Sequence, residues 1–308
     1  MDENYPDYGH LKMTLDTENA GQANVIGSLW MVAAMAAFAV EDSFFKAAAV
    51  TIPVGQMLMM FGLGGAIIFA GLARFNGEPL YQSAVLSRPM RVRMCFELTG
   101  RLFYVLAVAL TPLSSATAIL QATPIVVVAG AALFFGERVG RMRWAAIAVG
   151  LIGVMIVLRP GSDAFSPLSI LAVIGMLGLA GRDLASRAAP KSLSTVLLGL
   201  YGFLTVVVAG AAFALWQGRA FVWPDPLASL FVLGAVCIGV FAYTALMKAM
   251  RTGEVSVVTP FRYTRLVFGV GLGVVVFGEK LDSATIIGCA LIVATGLFIM
   301  WRGKRAAG

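Results

Sequence analysis

The chain is 308 residues long, 59% hydrophobic and only 13% charged, far from the soluble average of about half apolar and a quarter charged, so it is a membrane protein. Its net charge of +7 is dispersed between apolar runs; that excludes nucleic acid as a partner and leaves the basic residues as topology signals. Cys95, Cys237 and Cys289 lie inside apolar runs without CxxC or CxxH spacing, and the single histidine, His10, sits in a polar stretch, so no disulfide framework, metal site, cofactor or histidine proton relay is expected.

Residues 1–24 are polar and acidic with no basic n-region; they read as a cytoplasmic tail and not as a cleaved signal. Ten stretches then approach the roughly 20 apolar residues that a spanning helix needs: 25–45, 51–73, 94–112, 114–135, 142–159, 167–188, 193–216, 227–250, 256–277 and 283–301. The connections are short and carry turn chemistry, as in Asn76-Gly77-Glu78-Pro79 and Trp223-Pro224-Asp225-Pro226. With the N-terminus inside, fourteen Lys/Arg fall on inner connections, Arg88, Arg91 and Arg93 among them, against four on outer ones. This asymmetry places both termini in the cytoplasm and the lipid bilayer around the chain.

One stretch occurs twice. Ser114, Thr117 and Phe135-Gly136-Glu137-Arg138 return 142 positions later as Ser256, Thr259 and Phe277-Gly278-Glu279-Lys280. At an offset of 141, Asp42 and Lys46 return as Asp183 and Arg187. A repeat of half the protein with five spans, an odd number, must enter the membrane upside down the second time. The expected fold is all-α and integral to the membrane: ten transmembrane helices as an inverted 5+5 repeat, with units at 25–161 and 162–301 and a basic cytoplasmic tail at 302–308.

The inverted repeat, the Gly-Glu-basic turn after the fourth span of each half, Leu158-Arg159-Pro160-Gly161, Ala122-Thr123-Pro124 and Thr259-Pro260-Phe261-Arg262-Tyr263 together resemble the EamA type of the drug/metabolite transporter superfamily. The segment Gly178 to Pro190 is similar to the subgroup that contains bacterial riboflavin importers. The resemblance implies a carrier with its substrate between the halves. Leu266 stands where a proline would match Pro124, which leaves open whether the two helices bend alike.

Charge inside the hydrocarbon zone costs roughly 2.5–3.5 kcal/mol per residue on insertion scales and marks function by default. The candidates are Glu41, Asp42, Glu97, Arg101, Arg182, Asp183, Arg262 and Arg265. Glu97 and Arg101, four apart on one helix face, read either as a cavity-lining pair that exchanges a proton and holds a substrate anion, or as an extension of the basic inner helix end. Arg262 and Arg265, with Tyr263 between them, read as a substrate site, or as partners of Glu97 or Asp183 that hold the bundle. Asp42/Lys46 and Asp183/Arg187 read as gate or helix-end pairs at opposite mouths. Glu137 and Glu279 read as structural turn residues near a helix start, and the glycine clusters as close helix packing.

The substrate-binding set is thus Glu97, Arg101, Tyr104, Gln121, Tyr243, Arg262, Tyr263 and Arg265, near the midplane between the third, fourth, eighth and ninth spans. There are no catalytic residues. Tyrosines beside arginines suit a planar solute with a polar or anionic edge, a flavin or an aromatic amino acid. The expected function is secondary-active transport of a small organic metabolite across the bacterial inner membrane by alternating access, riboflavin first, with a proton or ion as a possible coupling partner and a monomer or homodimer as the unit. Export of amino acids or drug-like metabolites is the alternative. An intramembrane enzyme, lacking HExxH, GxSxG and a second histidine, and a non-transporting scaffold stand further off.

Overall fold

The computed structural model describes residues 8–135, 141–158, 166–190, 192–252 and 259–305. The repeated Gly136-Glu137-Arg138 turn, Arg159-Pro160-Gly161, Ser256 and the last three residues lie outside them, as do the side chains of Arg187 and Pro260.

The described residues fold as eleven α-helices with two 3-10 turns. These are α1 (Tyr8–Ala48), α2 (Val54–Phe75), a 3-10 turn (Ser83–Leu86), α3 (Arg88–Leu110), α4 (Leu113–Leu120), α5 (Thr123–Phe135), α6 (Arg141–Leu158), α7 (Ser169–Arg187), α8 (Thr195–Gln217), α9 (Pro226–Thr252), a second 3-10 turn (Thr259–Tyr263), α10 (Thr264–Phe277) and α11 (Ser283–Arg305). Local chemistry sets several of their ends. The Ser194 hydroxyl accepts from the Leu197 amide, and the Asp225 and Asp282 carboxylates accept from Ala228 and Thr285, each satisfying a first-turn N–H. Gly218 and Gly278, both at φ +63°, close α8 and α10 in the left-handed region that side chains avoid.

Three elements differ from the sequence expectation. Helix α1 begins at Tyr8, so most of the polar N-terminal stretch is a helical extension of the first span. Helix α3 begins six residues before the predicted boundary at 94, which carries Arg93 into the bundle at only 2% exposure and removes it from the inner-loop charge count. Among the described residues, five helices are long and apolar enough to cross a membrane by length and composition, within Gln22–Ala48, Val54–Phe75, Ser169–Ser186, Thr195–Gln217 and Pro226–Ala249. The charges of α3 and the break between α4 and α5 keep those two spans out of that set.

Packing exposes the duplication. Helix α1 lies against α9 and α3 against α7, while α2 packs on α8, α4 on α10 and α6 on α11. Moving every element to its copy turns the first pair into the second and leaves the other three unchanged, the signature of a two-fold operation exchanging the halves. The pairs pack at backbone distance. A Cβ added to Gly178 would lie 2.4 Å from Gly100 Cα, and one added to Gly210 would lie 2.7 Å from the Gly55 carbonyl oxygen, so α3 with α7 and α2 with α8 use glycine as membrane helices do to gain dispersion contact where lipid tails remove the hydrophobic drive. Phe45, Phe61, Phe203 and Phe69 stack in series at centroid distances of 4.9, 4.9 and 5.5 Å, filling the space between α1, α2 and α8.

Candidate functional site

Two interrupted helices open the interior. Helix α4 ends at Leu120 and α5 starts at Thr123 because Pro124 has no N–H to give to the Leu120 carbonyl; the Thr123 hydroxyl donates to that oxygen instead, at 2.5 Å. On the copy, the 3-10 turn ends at Tyr263 and α10 begins at Thr264. Gln121 and Tyr263 are repeat equivalents, so both spans break at the same place although Leu266 replaces the second proline. Gln121 ties the breaks together, its Nε2 donating to the Arg262 carbonyl at 3.2 Å and the Tyr263 carbonyl at 3.1 Å.

Around these breaks lie two cavities. The larger is walled by Met35, Phe38, Arg101, Tyr104, Leu120, Gln121, Thr123, Pro124, Leu179, Arg182, Asp183, Leu246, Arg262 and Arg265. The smaller takes in Glu41, Phe61, Glu97, Gly202, Phe203 and Tyr243 and shares Phe38, Arg101 and Arg182 with the first, so the two adjoin across those three side chains as two parts of one charged chamber.

Ion pairs knit the wall. Arg265 donates to Asp42 Oδ2 at 2.7 Å, and the Tyr104 hydroxyl donates to the same oxygen at 2.9 Å. Arg262 donates to Asp183 Oδ2 at 2.9 Å, while Arg182 holds Asp183 Oδ1 at 2.9 Å and reaches Glu97 at 3.3 Å. Arg101 binds Glu41 and lies over the rings of Phe61 and Phe45, with 4.6 and 5.4 Å to their centroids. Arg93 meets Glu97 at 3.5 Å, Ser186 at 3.0 Å and the Tyr243 hydroxyl at 3.3 Å.

Of the eight residues expected to bind substrate, Arg101, Tyr104, Gln121, Arg262 and Arg265 share the wall of the larger cavity, and Glu97 and Tyr243 that of the smaller. Tyr263 does not line either: at 5% exposure it packs into the core and contributes its backbone carbonyl. Glu97 and Arg101 do not pair with each other, because Arg93 one turn below and Arg182 across the interface take the carboxylate, while Arg101 turns to α1. Asp42 and Lys46 do not pair either. Lys46 stands one turn nearer the end of α1, where its ammonium donates to the Thr111 carbonyl at 2.7 Å and reaches Glu279 at 3.4 Å. Asp183 is bound by Arg182 and Arg262; its expected partner, Arg187, has its side chain outside the described residues. Sequence reading left Glu41 and Arg182 out of the site although both carried the intramembrane-charge signal, and it missed Arg93, whose only signal was its place four residues before Glu97.

Glu279 sits at the chamber's Lys46 end and accepts from the amides of Leu113 and Ser114 at 2.7 and 3.0 Å, capping α4 from the far end of the copied span. Burial pushes its carboxyl up, but the Ser114 and Leu113 amides and the Lys46 ammonium outweigh that and hold it below the ordinary carboxylate value.

The comparisons agree with this architecture. Residues 25–159 and 167–301 each match the EamA-like transporter family. The chain is 31% identical to the riboflavin transporter of Rhizobium johnstonii over 90% of this chain and 91% of that one. It is 27% identical to the riboflavin transporter of Vibrio cholerae, covering 91% and 95%, and 29% identical to the pseudopaline exporter CntI of Pseudomonas aeruginosa, covering 87% and 93%. With ten helical spans in two family-matching halves around a charged chamber, the chain belongs to the EamA-like transporter family.

Proposed function

We propose that the chain is a secondary-active carrier that moves a small organic metabolite across the bacterial inner membrane by alternating access, with both termini in the cytoplasm and riboflavin or a related flavin as the first substrate. The observation that carries this reading is the chamber itself: paired charges walling a cavity where two symmetry-related helices break, an arrangement that a passive scaffold would have no reason to keep in lipid. Glu97, Arg101, Tyr104, Gln121, Arg182, Tyr243, Arg262 and Arg265 face the solute, with Phe38 and Leu179 supplying apolar wall. The pyrimidine edge of a flavin is rich in carbonyl and ring-nitrogen acceptors, and guanidinium groups are donors only. The names of the two riboflavin transporters support this substrate; the name of the pseudopaline exporter supports export as the second reading.

Uptake of labelled riboflavin into proteoliposomes under an imposed proton gradient tests the proposal. Gradient-dependent accumulation that falls at least tenfold in Arg262→Gln is expected. Equal flux in protein-free vesicles, or no effect of the substitution, removes the substrate or the site respectively. Rescue of a riboflavin auxotroph by this chain establishes import; resistance to a toxic analogue without rescue establishes export.

A further inference from the structure

We infer that the chamber is built for an anionic solute, its carboxylate or phosphate held among Arg101, Arg182, Arg262 and Arg265; this rests on the carrier reading above and shifts its substrate from neutral riboflavin to an anion, a phosphorylated flavin included. Three observations carry it. Among the described residues the network counts five guanidinium groups, on Arg93, Arg101, Arg182, Arg262 and Arg265, against four carboxylates, on Glu41, Asp42, Glu97 and Asp183. The charges are also sorted in space. Four of the arginines touch the larger cavity and Asp183 is the one carboxylate that does; Glu41 and Glu97 open onto the smaller cavity, and Asp42 is 2% exposed behind Arg265. Finally, among the described residues the Nε groups of Arg262 and Arg265 and Nη1 of Arg93 are buried donors that meet no acceptor, against one unmet carboxylate oxygen in the network, Glu41 Oε2.

Each carboxylate already serves an arginine, and Asp183 and Glu97 serve two apiece. All five guanidiniums therefore have a carboxylate, two of which are shared, and the network as a whole keeps one positive charge that none of its own carboxylates balances. An uncompensated charge inside a membrane protein is costly, and an arriving oxyanion that accepts from a planar guanidinium fork removes that cost. A cationic solute meets the opposite, a like-charged wall that rejects it. Phe38, Leu120, Leu179 and Leu246 complete the same cavity and suit an apolar or aromatic body behind the anionic group.

The test uses the full chain purified in detergent, and ligands matched in ring and differing in charge: benzoate against benzamide, nicotinate against nicotinamide, and flavin mononucleotide against riboflavin. Binding is followed by the shift in thermal unfolding and by tryptophan quenching. The anionic member of a pair should half-saturate at a concentration at least tenfold lower; preference in the first two pairs alone assigns a carboxylate, and in the third alone a phosphate. The preference should collapse in Arg265→Gln and survive in Arg265→Lys, which keeps the charge and guards against a variant that merely misfolds. Equal or tighter binding of the neutral members overturns the inference. Riboflavin flux that no anion inhibits also overturns it while the carrier reading stands; anion binding without gradient-driven flux of any of the six compounds removes the carrier reading and leaves the anion site standing.

Discussion

Asp183→Asn tests the ion network at its most connected carboxylate. Asp183 accepts from Arg182 on one oxygen and from Arg262 on the other, both at 2.9 Å, and the side chains of all three are at least 80% buried. The asparagine is nearly isosteric and keeps one carbonyl oxygen, so Arg182 retains an acceptor while Arg262 loses its own and the chamber gains a full positive charge. Breaking a buried pair by removing one partner costs about 3–5 kcal/mol. The retained acceptor and the partial solvation of the chamber put this case at the low end, about 3 kcal/mol. At roughly 2–4 °C per kcal/mol for a chain of this size class, the unfolding midpoint in detergent, read by tryptophan fluorescence, should fall by roughly 6–12 °C. Adding Arg262→Gln removes the stranded guanidinium and should restore at least half of the loss. The same Asp183→Asn variant carries a larger positive surplus, so benzoate should stabilise it more than it does the parent. A single-variant shift of under about 2 °C, corresponding to less than about 1 kcal/mol, or a double variant no better than the single, refutes the claim that these charges are energetically coupled.

Glu279→Gln should cost about 1 kcal/mol at neutral pH by weakening the cap on α4. Because the folded carboxyl is depressed below the ordinary value of 4.5, its contribution is fully present above that pH and is lost as pH falls through the folded value; midpoint against pH should therefore drop more steeply below 4.5 in the parent than in the variant, and parallel curves would contradict the cap. Gly178→Val places a side chain where Gly100 already sits, at a cost of about 1–3 kcal/mol, whereas Gly71→Val, which meets nothing within 4 Å, should stay within about 0.5 kcal/mol; equal midpoints for the two would show that α3 and α7 do not pack as described. Gln121→Leu strands two carbonyls and should destabilise by about 2 kcal/mol, and the loss should appear in thermal unfolding as well as in flux; a variant impaired in flux alone would assign Gln121 to the solute instead of to the helix breaks.

The fold was largely legible because duplication and hydropathy are properties of whole segments. An odd number of spans per copy dictates inversion whatever the side chains do, and the turn residues mark most connections. What escaped were boundaries where charge and helix compete. Arg88, Arg91 and Arg93 look like a loop before an apolar run, yet Glu97 and Tyr243 give Arg93 enough partners to be drawn into the bundle, and α3 starts earlier for it. The breaks in the fourth and ninth spans were half legible. Pro124 announced the first, but Leu266 hid its equivalence with the second, which follows from position in the repeat and not from the residue.

Pairing in the site was not legible because helical spacing fixes a direction and not a partner. Arg101, Lys46 and Arg182 each reach past their own helix face to an acid on another element. The same geometry explains how loading could drive the carrier. Helices α1 with α9, α2 with α8 and α3 with α7 are packed along their lengths, the last two through glycines, and cannot part cheaply; the ninth span, short and interrupted, is held from both sides by its own arginines, Arg265 to Asp42 on α1 and Arg262 to Asp183 on α7. An oxyanion bound by those guanidiniums would compete with Asp42 and Asp183 for the same protons, so the proposed ligand would also weaken the ties that hold the ninth span to α1 and α7. A differential affinity of this kind is what a ligand needs in order to shift a conformational equilibrium. Spin labels on Val50 and Lys280, both exposed at the Lys46 end of the bundle, should therefore move apart with benzoate and stay put with benzamide; an unchanged distance at saturating benzoate would mean that Arg262 and Arg265 bind the anion without releasing their carboxylates.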